Sequence, residues 1–382
     1  MYKKNIVKEI PISLYIHIPW CIRRCPYCDF NIFIFKRKKK YINKYIKNLH
    51  NDLKQDIKLI NNRKICSIFI GGGTPTLLNH KEIFILLKKI KKIIKFSKNI
   101  EITIEMDPKT LIKNEIKIYY KLGINRISLG IQTFNNKKLF FLKRMYNSNQ
   151  AIKTIKICKK NKKIKINIDI IHSLPKQTLY EALVDIKKTV KLNPNHISWY
   201  KLNIEKNTYF YKKKIKNTKE NIFLNILKFG NIILKKHGFK QYEISSYSKK
   251  KCISKHNLNY WNYGDYLGIG CGSHSKITKK NGSIIRIIKQ KNIKKYNLKK
   301  YIYKIKILKK KEIILEFFMN NFRLFKPIFK SDFFKYTNIH SKEINKKIKI
   351  AINNGYIKEN KKTWETTKKG KNFLNDLLEI FI

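Results

Sequence analysis

A repeated alternation of β-rich and helix-periodic segments constrains the fold of this chain more than any other feature of its sequence. Six short runs of β-forming residues are each followed by a turn or by apolar residues at helical spacing. Because parallel strands need crossover connections, this pattern predicts parallel βα units. The predicted strands are Leu14–Ile18, Ser67–Ile70, Glu101–Glu105, Arg126–Ile131, Lys165–Ile171 and His196–Leu202. Six units indicate an incomplete (β/α)6 barrel, with a doubly wound open sheet as the alternative.

The alternation stops beyond Lys206, where the organisation of the chain changes. Asn221–His237 has helical periodicity, the glycine-rich, aromatic segment Tyr260–Ser275 predicts a loop region, and the Lys-rich segment Ile287–Lys310 predicts a linker. We therefore expect three parts: a partial barrel over residues 1–206, a barrel extension over 207–300 and a C-terminal domain over 301–382.

The C-terminal part has a pattern of its own. Three helical segments precede a candidate hairpin, in the order Glu312–Leu324, Lys330–Tyr336, Lys342–Asn353 and Tyr356–Thr367. This order predicts a mostly helical, winged-helix-like domain. Domains of this type often bind DNA, but they also serve as packing units, and no Arg-rich recognition helix is present here.

The formal net charge of +63 is distributed along the whole chain rather than on one element. Arg contributes only eight of the 87 basic residues, whereas nucleic-acid binders more often concentrate charge and interleave Arg. The excess of Lys, Ile and Asn indicates a compositional bias, so a nucleic-acid partner is not favoured. The N-terminus has no export signal, and no apolar run approaches membrane-spanning length, so we expect a cytoplasmic protein.

Three of the seven cysteines, Cys21, Cys25 and Cys28, lie in one loop directly after the first predicted strand. Reactive groups collect at this end of the strands in βα barrels. Spacings of C-x3-C-x2-C let three thiolates converge on one polynuclear centre and leave one iron of a four-iron cube open. Structural zinc normally takes four protein ligands, and no fourth Cys or His lies nearby in sequence.

Other strand ends carry a second group of candidate site residues. Gly71, Gly72 and Gly73 close the second predicted strand, where the backbone must approach a ligand closely or adopt positive φ; an ordinary tight turn is the alternative. Polar residues that a barrel interior would not choose follow later strands, and each could also be a hydrogen-bonded structural residue. They are Glu105, Gln132, Arg144 and Asp169.

The cysteine loop and the glycine segment together resemble the radical SAM superfamily. This resemblance implies a [4Fe–4S] cluster on Cys21, Cys25 and Cys28, whose open iron is chelated by S-adenosylmethionine (SAM). It also implies that SAM contacts Tyr15, Tyr27, Gly73, Thr74, Pro75, Glu105, Gln132, Arg144 and Asp169. The sequence leaves open whether SAM is cleaved, and therefore whether the chain is an enzyme.

Further blocks narrow the resemblance to the oxygen-independent coproporphyrinogen III oxidase-like proteins. The segment from His256 to Trp261 reads His-Asn-Leu-Asn-Tyr-Trp and is similar to the HNxxYW segment of the HemW-type heme chaperones. Since His and Tyr are both known heme-iron ligands, His256 and Tyr260 are candidate heme residues, with a structural role for His256 equally open. Ser173 replaces the glycine that these relatives usually have after the fifth strand.

Two functions are compatible with these motifs. The oxidases have a fourth cysteine where this chain has Phe30, and a longer N-terminal extension than the 20 residues that precede Cys21. These differences favour a heme chaperone that transfers heme to an acceptor, such as a respiratory protein, over an oxidase that decarboxylates coproporphyrinogen III. The resemblance also implies a homodimer.

Overall fold

The computed structural model describes residues 9–111 and 115–382, which form a large α/β body and a smaller C-terminal unit. In chain order the strands are β1 (Ile12–Ile18), β2 (Trp20–Cys21), β3 (Phe33–Ile34), β4 (Ile65–Gly72), β5 (Phe96–Met106), β6 (Arg126–Gln132), β7 (Lys165–His172), β8 (His196–Lys201), β9 (Lys240–Glu243), β10 (Ser246–Ser248), β11 (Asp265–Ile269), β12 (His274–Thr278), β13 (Ile284–Lys289), β14 (Ile302–Ile307), β15 (Ile328–Phe329), β16 (Ile357–Glu359) and β17 (Thr363–Thr366).

The α-helices connect the parallel strands and build most of the C-terminal unit. They are α1 (Lys39–Asp56), α2 (His80–Ile93), α3 (Glu115–Lys121), α4 (Asn136–Phe141), α5 (Ser148–Lys159), α6 (Leu179–Lys191), α7 (Tyr209–Lys212), α8 (Glu220–Lys236), α9 (Lys255–Trp261), α10 (Ile293–Asn297), α11 (Lys310–Asn321), α12 (Lys330–Thr337), α13 (Asn345–Asn353), α14 (Lys368–Asn372) and α15 (Leu374–Glu379).

Six parallel strands form the centre of one large sheet, in the sequential order β1-β4-β5-β6-β7-β8. A doubly wound sheet would instead reverse its strand order at a switch point. The sequential order confirms the predicted partial barrel, and all six predicted strands are present. The start of the crossover helix α2 is stabilised by a capping box, in which Asn79 and Glu82 each accept the other's backbone N–H.

Further strands extend both edges of this parallel sheet. β10 and β9 follow β8, while β11 pairs in parallel with β1 and leads into the antiparallel strands β12, β13 and β14. The prediction of a loop region at Tyr260–Ser275 was therefore wrong, since the segment contains β11 and the start of β12. The predicted linker Ile287–Lys310 was wrong too, because it contains the end of β13, α10 and β14. Four glycines gave the first segment a loop-like composition, and lysines gave the second a polar, linker-like one.

The C-terminal unit packs α11, α12 and α13 against a small antiparallel sheet in the order β15-β17-β16. Its core is aromatic, with Phe317, Phe318, Phe333 and Trp364 all buried. Helices followed by a hairpin match the predicted winged-helix-like arrangement. The boundaries at residues 206 and 300 stay predictions. No helix in residues 9–111 and 115–382 is long and apolar enough to cross a lipid bilayer.

Candidate cluster, cofactor and cargo sites

The cysteine loop and the glycine segment meet at the carboxyl ends of β1 and β4. The backbone N–H of Gly73 donates to the carbonyl of Ile18 at 2.8 Å, and that of Thr74 donates to the carbonyl of Trp20 at 2.7 Å. A Cβ atom on Gly73 would lie 2.4 Å from the Trp20 carbonyl oxygen. Glycine is therefore required here because the two loops approach each other too closely for any side chain.

These loops open into a first cavity of about 600 Å³, and all three cysteines of the loop line it. Thr74 Oγ1 lies 3.5 Å from Cys21 Sγ, and Arg144 Nη1 donates to Cys25 Sγ at 3.5 Å. Burial, aided by the charges of Cys25 and Cys21, raises the pKa of the Cys28 thiol to about 11, although the backbone N–H of Phe30 opposes the shift, so the loop thiols affect one another. Cys21 shows the same direction of pKa shift from burial.

The donor set fits an iron–sulfur cluster in its chemistry. Three thiols from one loop face one cavity, as a three-cysteine cluster with one open iron requires. The three sulfurs do not form a ready-made site for a single metal ion. Across the described residues, no three His, Cys, Asp or Glu groups are close enough to hold one. The cluster itself would bring these thiolates into its coordination geometry.

Two partly exposed carboxylates also line the first cavity. Glu105 Oε2 accepts the backbone N–H of Gly72 at 2.9 Å, while Asp169 accepts from Ser128 and Asn167, each at 2.8 Å. Burial, followed by the charge of Asp169, raises the pKa of Glu105 to about 7, although the Gly72 N–H opposes the shift. Burial also raises the pKa of Asp169. A cationic ligand would favour the ionised form of both groups.

Gln132 and Arg144 line the same cavity. Gln132 ends β6 with a φ of 67°, a conformation that glycine favours, and accepts a hydrogen bond from the Tyr200 hydroxyl at 3.1 Å. Arg144 is held by the carboxylate of Asp107 at 2.7 Å and by the carbonyl of Gly130 at 2.8 Å. Asp107 and Tyr200 were not predicted as site residues. Asp107 could have been found, because it follows the end of β5 directly.

The structure brings most, but not all, of the predicted SAM residues together. Tyr27, Gly73, Thr74, Glu105, Gln132, Arg144 and Asp169 line the first cavity, whereas Tyr15 and Pro75 do not. Pro75 is buried at the start of a 3-10 helix. The Tyr15 hydroxyl bonds to His17 Nδ1 at 3.0 Å, and this side chain lines a different cavity.

That second cavity has a volume of about 830 Å³ and is lined by both candidate heme residues, His256 and Tyr260. The rings of Tyr260 and Tyr266 lie 5.1 Å apart on one side of it. Its lining includes residues of β1, β11, β12, β13 and β14. Its size is typical of small-molecule sites.

An ordered hydrogen-bond chain orients the His256 imidazole. Its Nδ1 lies 3.1 Å from Ser67 Oγ, and Ser67 in turn donates to Ser13 Oγ at 2.7 Å. Because the Ser67 proton is used in the bond to Ser13, Nδ1 must carry the imidazole proton, which leaves the lone pair on Nε2. Burial lowers the pKa of His256 to about 3, so the ring is neutral at pH 7.

Aromatic rings separate the two cavities. Phe69, which lines the first cavity, lies 6.3 Å from the Tyr15 ring and 5.1 Å from the His256 ring, and both of these line the second. Phe30 lines both cavities. A ligand in one cavity is therefore a single ring away from a ligand in the other.

Comparison with known proteins identifies the family of the chain. The model of the radical SAM superfamily matches residues 15–186, and that of the HemN C-terminal domain matches residues 308–373. The chain is 54% identical to the heme chaperone HemW of Buchnera aphidicola (subsp. Acyrthosiphon pisum), over 97% of this chain and 98% of that protein. It is 38% identical to the heme chaperone HemW of Escherichia coli, over 99% of this chain and 100% of that protein.

The fold also resembles that of a solved structure. Coproporphyrinogen III oxidase (HemN) of Escherichia coli superposes with a TM-score of 0.82 at 21% identity, covering 99% of this chain and 92% of that protein. At this identity the likeness shows the fold alone. The superfamily match implies a [4Fe–4S] cluster and SAM. Because the chain is similar to these relatives over nearly all of its residues, it belongs to the HemW family of the radical SAM superfamily.

Proposed function

We propose that this chain is a heme chaperone that binds one heme in the second cavity and passes it to an acceptor protein. The observation that carries this proposal is the state of His256. Its neutral ring lines the cavity, Nδ1 is occupied by Ser67, and Nε2 has no hydrogen-bond partner among the described residues. A neutral imidazole with a free lone pair and a fixed orientation is suited to ligate heme iron.

Tyr260 supplies a second candidate contact in the same cavity. It follows His256 by one helical turn in α9, and its ring is placed by those of Trp261 at 4.9 Å and Tyr266 at 5.1 Å. Aromatic side chains of this kind pack against the faces and edges of flat conjugated ligands. The flat macrocycle of heme matches this lining.

The first cavity is proposed to hold the cluster and SAM. Cys21, Cys25 and Cys28 would ligate three irons, and the backbone beside Gly73 would contact the methionine part of SAM. Glu105 and Asp169 offer carboxylates to the ribose or to the cationic groups of SAM, while the Arg144 guanidinium suits its carboxylate. When bound in the first cavity, the cluster and SAM would supply one-electron redox chemistry.

The biological setting belongs to the same proposal. A thiolate-ligated cluster is stable in a reducing compartment, which favours the cytoplasm. The acceptor is proposed to be a heme-dependent respiratory protein, and the chain to work as a homodimer. The three predicted parts would then divide the work: residues 1–206 for cluster and SAM, 207–300 for the heme segment and 301–382 for packing.

Hemin binding to the anaerobically reconstituted protein tests the function. We expect one hemin per chain with a sharp Soret band, and loss of this band in His256→Ala but not in His237→Ala, which changes an exposed histidine. Repeated decarboxylation of coproporphyrinogen III with SAM and a reductant would contradict the chaperone proposal and indicate an oxidase.

The cluster assignment has a separate test. Cys25→Ala should lose the four-iron absorbance and most of the bound iron, because one of three ligands is removed. Cys66→Ala, a cysteine near Ser13 and outside the first cavity, should retain both. A normal cluster in Cys25→Ala would refute the ligand assignment.

A further inference from the structure

The wall of the second cavity that lies across the sheet from His256 is rich in cations. His256 contacts Ser67 and Phe69 on β4, whereas Lys304 lies on β14, at the far end of the strand order β4-β1-β11-β12-β13-β14. Lys304 pairs in register with Ile288, and Ile288 pairs with His274, so these three residues cross the sheet in one row. All three line the cavity.

Most carboxylates that line this cavity already form ion pairs. Glu316 forms a two-pronged pair with Arg286, with contacts of 2.6 and 3.2 Å, and Glu312 pairs with Lys306. Only the Asp29 carboxylate is left without an ion pair among the cavity-lining residues that the structure describes.

Three cations of the same cavity have no such partner. Within residues 9–111 and 115–382, no carboxylate lies within salt-bridge distance of Arg24, Lys291 or Lys304. The local potential is correspondingly positive: burial lowers the pKa of His274, and the charges of Lys291 and Arg286 lower it further. A ligand that carries two negative charges at this end would be matched to the wall.

We propose that Arg24, Lys291 and Lys304 bind the two propionate carboxylates of the heme, and so set its orientation and select tetrapyrroles with free acid side chains. This inference rests on the proposed function, because it concerns the same cargo. A heme with its iron near His256 would have to direct its acidic edge across the cavity towards β14. Arg24 belongs to the cysteine loop, so the loop that carries the cluster also contacts the cargo.

Hemin and hemin dimethyl ester distinguish this proposal from general heme binding, since the ester keeps the iron and the ring but has no propionate charge. On the reconstituted full-length protein, absorbance titration should give about tenfold tighter binding of hemin than of the ester, as modest contributions from three solvent-exposed cations add up. The triple variant Arg24→Gln, Lys291→Gln, Lys304→Gln should bind both ligands equally, with the ester affinity unchanged.

The matched control replaces three exposed cations outside this cavity, Arg37→Gln, Lys98→Gln and Lys361→Gln. It makes the same change in net charge and should keep the preference for hemin. Equal affinities of the unaltered protein for hemin and ester, or equal loss of preference in both triple variants, would overturn the propionate assignment and leave heme binding intact. Failure of the unaltered protein to bind hemin would overturn the proposed function itself, and this inference with it.

Discussion

Glu105 should make SAM binding depend on pH in a way that a single substitution removes. Burial and the neighbouring Asp169 raise the pKa of Glu105 to about 7. SAM carries a cationic sulfonium, so its binding favours the ionised carboxylate. If only the ionised form binds, the competent fraction rises from about 0.1 at pH 6 to about 0.9 at pH 8, and the apparent affinity rises roughly tenfold.

The variant Glu105→Gln keeps an amide oxygen that can accept the Gly72 N–H, but it has no group that titrates in this range. Dissociation constants for SAM should be measured by anaerobic calorimetry at pH 6, 7 and 8 on both reconstituted proteins. Any titration of SAM itself is common to both proteins and cancels in their ratio. We expect the affinity ratio of parent to variant to increase about tenfold from pH 6 to pH 8.

A second buried carboxylate provides the control. Burial raises the pKa of Asp185 to about 6, but this residue bonds to Thr133 and to the backbone N–H of Phe134, outside the first cavity. Asp185→Asn should therefore leave the pH profile of SAM binding as in the parent. A parent-to-variant ratio for Glu105→Gln that is constant from pH 6 to pH 8 would refute the assignment of this carboxylate to SAM.

Two further predictions concern the scaffold. Gly230→Ala would place a Cβ 2.0 Å from the Trp199 ring, and should destabilise the chain by about 1–3 kcal/mol in denaturant unfolding; an unchanged midpoint would contradict the packing of α8 on β8. Lys289→Ala would leave the buried carboxylates of Asp52 and Asp56 without their shared cation, and should cost about 3–5 kcal/mol in the same assay. The loss should shrink at low pH as Asp52, whose pKa burial raises, takes up a proton.

The central strands could be predicted because each carries a local signal. Strand β6, for example, has six of its seven residues buried, so Arg126–Gln132 stands out as a β-forming run against a Lys-rich background. The outer strands carry no comparable signal. All six residues of β14 are exposed or partly exposed, and its alternating Ile and Lys residues resemble those of a linker. Its place in the sheet depends on pairing with β13, which local composition does not encode.

The presence of two separate cavities also could not be predicted from the sequence. Tyr15 and Glu105 line different cavities, although both were assigned to SAM on the same resemblance. The ring of Phe69 lies between them, and α9, from residue 255 onward, places His256 against the same ring. A contact between residues nearly 190 positions apart leaves no periodic signature in either segment.

Because acidic residues are scarce in this chain, each buried carboxylate indicates a structural or chemical requirement at its position. Only 24 Asp and Glu stand against 87 basic residues, so a buried acid persists where structure or chemistry needs it. Asp265 holds both Arg63 and Lys276, and these ion pairs account for its burial. Glu105 and Asp169 differ, because neither lies within salt-bridge distance of a cation in the described chain, and the charge of Asp169 raises the pKa of Glu105. Two carboxylates that repel each other in one cavity without a cation cost free energy, and a bound cationic ligand such as SAM would recover it.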